Sequence, residues 1–265
     1  MSSGISSIAS YYQTQTNTIA AEIASIGQQI STGTKVLTVS QQKTVATLSK
    51  KASSYSTPEA SIKNAQSVVA LAETGLTSIK SLLKQMEVIA EQASDKQLAS
   101  SDSTSYNNRF QALVNKIGKD ATSAALKGSN LLSGTAGVNV STDITGDAKS
   151  RMRINSVNVY GMLTAGILSG VGVDTPQNAA KAVSQIQGAL SQIQSGQSML
   201  QNAATTLTKK AAALTGDVTA INTQVNSITH VDVKQLQAQL AALHSQYNID
   251  YNLSSQLNSL AAKNL

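Results

Sequence analysis

Apolar residues recur along the chain at alternating steps of three and four, the spacing that lines one narrow stripe of an α-helix and calls for a partner helix. The longest run passes through Val183, Ile186, Leu190, Ile193, Gln197, Leu200, Ala204, Leu207, Ala211, Leu214, Val218, Ile221, Val225 and Ile228, with Gln197 its one polar member. At ~1.5 Å per residue it predicts a helix about 70 Å long. A second run holds Ile62, Ala65, Val69, Ala72, Leu76, Ile79, Leu83, Met86 and Ala90 in the same register after Pro58 and Glu59. A third, Tyr106, Phe110, Leu113, Ile117, Ala121 and Ala124, follows a Ser/Asp-rich break from Ala99 to Ser105, and Gly128 and Gly134 are expected to close it. The two prolines, Pro58 and Pro176, stand where helices begin, since proline is tolerated in a first turn.

Between Gly137 and Tyr160 the period changes to two, in Val138 and Val140, then Met152 and Ile154, then Val157 and Val159. This predicts a small hairpin, the only β signal in the chain, with Thr145-Gly146-Asp147 at its turn. Arg151 and Arg153 fall on one strand face, opposite Met152 and Ile154, where they pair with acids of a neighbouring copy or face water. The glycines from Gly161 to Gly172 read as a loop leading to Pro176, without the Gly-Lys-Ser/Thr of a phosphate loop.

The two ends share an unusual pattern. Residues 1–34 carry one charge, Glu22, beside a stripe of Ile5, Ile8, Tyr12, Ile19, Ile23, Ile26 and Ile30. Residues 235–265 carry only Asp250 and Lys263, beside Leu236, Leu240, Leu243, Tyr247, Leu253, Leu257 and Leu260. A surface helix normally turns a charged face to water, whereas these turn Ser, Thr, Gln, Asn and Ala, which suits burial all round in an assembly. These fourteen side chains are the predicted assembly interface, and both ends are expected to be loosely ordered in a monomer and to become helical together on association. The fold class is therefore mostly α: an elongated heptad-repeat bundle with one small β-hairpin, its N- and C-terminal helices pairing as a coiled coil. The expected organisation is a terminal helical domain of residues 1–34 with 230–265, a connecting segment at 35–56, and a bundle domain at 57–229 with its hairpin at about 137–160.

Composition narrows the function. With no Trp and one Phe among 41% apolar residues, stability has to come from long repetitive contacts and not from a few large anchors. The net charge of +6 is scattered; the one cluster, Lys35, Lys43, Lys50 and Lys51, has only Tyr55 near enough to stack on a base, so no nucleic-acid partner is expected. Cysteine is absent, which removes disulfides and thiolate chemistry. His230 and His244, the only histidines, are too far apart for a helical metal site, and Glu87 with Glu91 reads as a solvated edge; no metal, cofactor or catalytic residue is expected. The stretch from Met1 to Ile8 has no basic region, apolar segment or cleavage site of a secretory signal, and no window approaches the ~18 apolar residues of a membrane span.

Individual residues carry a resemblance to the bacterial flagellins. Gln29-Ile-Ser-Thr-Gly-Thr-Lys35-Val36 resembles the family segment that closes its first terminal helix. Ala72-Glu-Thr-Gly75-Leu76 with Ile79, then Met86-Glu-Val-Ile-Ala90-Glu-Gln-Ala93, is similar to the family's Ala-x-x-Gly-Ala-Leu-x-x-Ile and Leu-Ala-x-Gln-Ala patterns. Phe110 to Leu132, ending Leu126-Lys127-Gly128-Ser-Asn-Leu-Leu132, resembles the segment that ends Phe-Asn-Gly-x-x-Leu-Leu, and His230-Val-Asp232 stands where the family has Asp-x-Asp. The resemblance implies a short flagellin with only the inner domains, a non-enzymatic subunit that polymerises with itself into the motility filament. It also implies export unfolded through the flagellar type III apparatus, an extracellular location, and cap, junction and export proteins as partners. The related alternative is a hook-filament junction protein, and a secreted adhesion module is a further one.

Overall fold

The computed structural model describes residues 2–147 and 150–263, so residues 148 and 149 of the expected hairpin loop, and residues 1, 264 and 265 of the expected terminal domain, lie outside the described residues. Seven helices are described: α1 (Ser2–Thr32), α2 (Val39–Ser54), α3 (Ser56–Ala93), α4 (Ser100–Ser123), α5 (Val159–Thr164), α6 (Pro176–Thr229) and α7 (Val233–Lys263). The chain divides into two compact units, Ala52–Thr219 and, from its two ends, Met1–Lys51 with Ala220–Leu265.

In the unit Ala52–Thr219, every member of the second predicted run, Ile62 to Ala90, is buried on α3. Val68, Leu82, Ile89 and Ala93 are buried beside them, widening the stripe to a full packing face. Pro58 stands in the first turn of α3 and Pro176 opens α6, where Thr175 Oγ1 accepts the Asn178 N–H.

On α6 the close contact is turned by one residue from the predicted line. Ile186, Ile193, Leu200 and Leu207 are buried as expected, but between them the buried positions are Ala182, Ala189, Gly196 and Ala203, while Val183, Leu190, Gln197 and Ala204 are half-buried. Small residues mark where neighbouring side chains come closest. A Cβ at Gly196 would lie 2.6 Å from Val157 Cγ1, and one at Gly188 would lie 2.5 Å from Ile167 Cδ1. The polar Gln197 is tolerated because Gly196 occupies the contact line in its place.

Several expectations need correction. α4 begins at Ser100, so the Ser/Asp-rich residues belong to its first turns, and Asp102 adds an acid there, which suits a helix N-terminus. Gly128 does not cap α4. It sits with Lys127 at positive φ in a tight turn joining β1 (Ala125–Leu126) to β2 (Ser129–Asn130), a second strand pair that the period-two reading misses because each strand has two residues. Asn130 then ties the turn to the helix, donating from Nδ2 to the Ala121 and Thr122 carbonyls and accepting the Leu132 and Ser133 N–H groups. The larger hairpin pairs β3 (Val138–Ser141) with β4 (Arg151–Ile154) in the register Val138 to Ile154. Val157 and Val159, expected in the hairpin, lie outside it, and Val159 opens α5, which runs on into the stretch from Gly161 expected to be a loop. Arg151 and Arg153 are both exposed on β4 while Ile154 is buried. The segment 35–56, expected only to connect, is largely the helix α2, none of whose residues is buried.

Tyr55, between α2 and α3, is buried and hydrogen-bonded to Asp217, so the one aromatic near the lysine cluster is not free to stack on a base. Burial, with the charges of Asp217 and Asp143 facing it, raises its pKa above the ordinary tyrosine value. The folded state therefore favours the neutral phenol. That stabilisation is complete below the ordinary range near ~10 and is lost as pH climbs through the raised value.

Among the seven tyrosines, alkaline titration followed by tyrosinate absorbance should show one late-ionising group that Tyr55→Phe removes. In urea unfolding, Gly137→Ala destabilises by about 1–3 kcal/mol because its Cβ would strike the Ile154 carbonyl, which cannot rotate away. Gly216→Ala, with open space around its Cβ inside α6, stabilises by up to about 1 kcal/mol.

Candidate assembly surface on the terminal helices

The unit formed by the two chain ends is built on α1 and α7. α1 ends at Thr32, and Gly33 at φ +63° supplies the left-handed residue that terminates it. The chain then turns with Gln29 Oε1 accepting the Val36 N–H. Thr38 and Gln41 form a reciprocal capping box at the start of α2. Asp232 caps α7, its Oδ1 accepting the Gln235 N–H, which gives this member of the His230-Val-Asp232 segment a defined local task.

α1 and α7 run antiparallel. Ser254 Oγ reaches the Ala9 carbonyl at 3.3 Å and Gln13 Oε1 at 3.4 Å, while Gln29 shares a cavity with Gln235, Leu236 and Gln239. Burial along α1 follows Ile5, Ala9, Tyr12, Thr16, Ile19, Ile23, Ile26 and Ile30, in unbroken steps of four and three. Along α7 it follows Leu236, Leu240, Leu243, Tyr247, Asp250, Ser254, Leu257 and Ala261 in the same steps. This is the seam of a two-helix coiled coil.

Of the predicted interface residues, Ile19 is buried; Ile5, Tyr12, Ile23, Ile26 and Ile30 are half-buried in the seam, as are Leu236, Leu240, Leu243, Tyr247 and Leu257. Leu253 is half-buried on its flank, and Ile8 and Leu260 are exposed. Ala9, Thr16, Asp250, Ser254 and Ala261 escape the sequence reading because they are small or polar. Continuing the four-three step through them would have found them.

Three polar side chains thus lie inside the seam. Thr16 Oγ1 donates back to the Tyr12 carbonyl at 2.7 Å, and Asp250 Oδ1 accepts from Gln246 Nε2 at 2.9 Å; Ser254 is the third. Buried polar groups at heptad positions weaken a coiled coil and fix its register. Paired rings flank them: Tyr11 and Tyr12 meet edge to face at 5.5 Å, and Tyr247 and Tyr251 stack at 6.2 Å. Among the described residues no group of three or more His, Cys, Asp or Glu is placed to hold a metal ion, and no helix is long and apolar enough to cross a membrane.

The unit of the chain ends is thus made of long low-charge helices with apolar side chains on their outer faces. The sequence profile of the bacterial flagellin N-terminal helical region matches residues 5–137, half of the chain, and the chain belongs to that family. Flagellins are structural proteins of the bacterial flagellum that polymerise with themselves. No curated protein matches the chain at a significant level. Among solved structures, Bacillus cereus flagellin is similar over 67% of this chain and 93% of its own, at 17% identity and a TM-score of 0.41. A candidate flagellar hook-associated protein of Vibrio parahaemolyticus is similar over 69% and 93%, at 16% identity and 0.43. The family assignment rests on the sequence match and not on these two likenesses.

The seam register has a direct check in a chain without native cysteine. Ala9→Cys combined with Ser254→Cys closes an intramolecular disulfide on mild oxidation, giving a faster band on a non-reducing gel; a chain that stays open under the same treatment does not have this antiparallel register.

Proposed function

We propose that the chain is a subunit of the flagellar filament that polymerises through α1 and α7 and builds the inner tube. The observation that carries this reading is the surface of the α1–α7 pair. Outside the seam it is nearly uncharged, yet it exposes Ile8, Tyr11, Ile249, Tyr251 and Leu260. A seam interrupted by Thr16, Asp250 and Ser254 holds two helices weakly by itself, and covering their outer faces with neighbouring copies supplies the missing apolar burial. Folding of the ends is then coupled to assembly.

Export unfolded through the flagellar type III apparatus and addition at the filament tip beneath a cap fit the same features. The absence of cysteine removes cross-links that would resist unfolding.

Electron microscopy of the full-length protein after addition of ammonium sulfate, beside a copy lacking residues 1–34, tests the proposal, because excluded salts strengthen apolar burial. Long tubes from the intact chain and none from the shortened one are expected, with amide exchange across α1 fast in dilute monomer and slow in the tubes. Rings alone would move the assignment to a hook-filament junction protein. Monomers alone would move it to a secreted, non-polymerising module.

A further inference from the structure

Five apolar residues on the α1–α7 pair each stand one position before a seam residue: Ile8 before Ala9, Tyr11 before Tyr12, Ile249 before Asp250, Leu253 before Ser254 and Leu260 before Ala261. The axis that exchanges two antiparallel helices while keeping their sides runs perpendicular to the plane containing them. Positions that precede the seam on both helices therefore fall on one side of the pair. With Ala9 set against Ser254, all five also fall at one end, where α1 begins and α7 finishes. They form one facet, in which Ile8, Tyr11, Ile249 and Leu260 are 50%, 59%, 56% and 48% exposed. On the opposite side the positions that follow the seam include Ser6, Ser10, Gln13, Ser255 and Asn258, with Tyr251 the one large apolar side chain among them.

A second exposed apolar group lies at the other end of the pair, where α1 finishes and α7 begins. Val36 and Val39 are 62% and 68% exposed and Val233 is 39% exposed. Lys35 and Asp232, the chain neighbours of Val36 and Val233, line a cavity of about 570 Å³ together with Gln29, Val231 and Leu236 among others. From Ile8 to Ile30 the two ends are roughly 30 Å apart at ~1.5 Å per residue.

We infer that the Ile8 facet of one copy seats on the Val36–Val39–Val233 end of the next copy's terminal unit. The inference rests on the filament reading and goes beyond it by naming the two halves of the contact. A single patch meeting its own copy makes an isologous contact that closes at two subunits. Two different patches at opposite ends of one unit make a heterologous contact, the class that adds subunits indefinitely when its rotation does not close into a ring, and an open polymer requires that class. The Ile8 facet itself has no charged member, so on that half of the contact no ion is desolvated; Lys35 and Asp232 at the rim of the other half are of opposite sign. The cavity beside the second group gives space for a ring or a branched side chain such as Tyr11 or Leu260.

Cross-linking of the full-length protein tests this, since every thiol will be an introduced one. Gly4→Cys lies on the facet side one turn before Ile8, where an added Cβ meets nothing within 4 Å; Ser40→Cys lies beside Val39 and is nearly isosteric. Under the salt conditions that give tubes, a flexible bismaleimide should turn the double variant into a ladder of multimers on a denaturing gel. An equimolar mixture of the two single variants should stop at dimers, and each single variant alone should stay monomeric. Dimers from Gly4→Cys alone, or tubes of the double variant that give no ladder, would overturn the pairing while leaving the filament reading intact. A parent protein that forms no tubes would instead remove the filament reading itself.

Discussion

Close approach of helices along small side chains is the constraint on which the rest of the structure depends. A chain with no Trp and a single Phe, the fully buried Phe110, has few large aromatic anchors for its core, so its helices must touch over many turns. On α6 this is done at Ala182, Ala189, Gly196 and Ala203, where absent or single-carbon side chains admit Val157 and, at the neighbouring Gly188, Ile167. α3 works by the complementary arrangement, with Leu76, Ile79, Leu83 and Met86 fully buried against what packs on it and Gly75 kept bare for Leu132. Side-chain hydrogen bonds then fix what the helices cannot. Ser103, Asn107 and Gln111 on α4 hold the backbone at Asp174, Val173 and Val171, delivering the chain to the start of α6.

The two units use the same heptad arithmetic for different ends. In Ala52–Thr219 the seams are filled by apolar residues, and the polar groups are tied locally, as Asn130 is to the end of α4. In the unit of the chain ends the seam itself carries Thr16, Asp250 and Ser254, while Ile8, Tyr11 and Ile249 face outward. The seam keeps its Ile and Leu residues, but a share of the pair's hydrophobicity lies on its outside. Such a pair gains less from its own closure than from being covered, which is the thermodynamic condition for a segment that orders on assembly.

Period is more legible in the sequence than side-chain identity. The three-four step locates α1, α3, α4, α6 and α7, and prolines 58 and 176 mark two helix starts, because both signals depend on backbone geometry that neighbours cannot change. Hydropathy does not by itself separate the seam from the flank one residue away. It prefers Ile8 to Ala9, Leu260 to Ala261, and Val183 to Ala182, since a scale that rewards apolar size favours the flank over the small residue at closest contact. The β1–β2 turn is invisible because two-residue strands have no period, and Lys127 at positive φ is not a residue that announces a left-handed turn. α2 escapes the reading because it buries nothing and so has no apolar stripe to detect.

That one-residue displacement has a functional consequence. If Ile8, Leu253 and Leu260 also lay in the seam, the α1–α7 pair would bury more of its own apolar surface and leave less of it outside. Because Ala9, Ser254 and Ala261 take the inner places, Ile8, Leu253 and Leu260 are left one position out, on a single side. The same sequence choice therefore narrows the pair and leaves outside it the apolar side chains on which the proposed contact rests. The near-absence of charge from this surface follows from the same requirement. An ion there would have to be desolvated in every contact of a polymer, whereas Ser, Gln and Asn can exchange water for a neighbour's hydrogen bonds at little net cost.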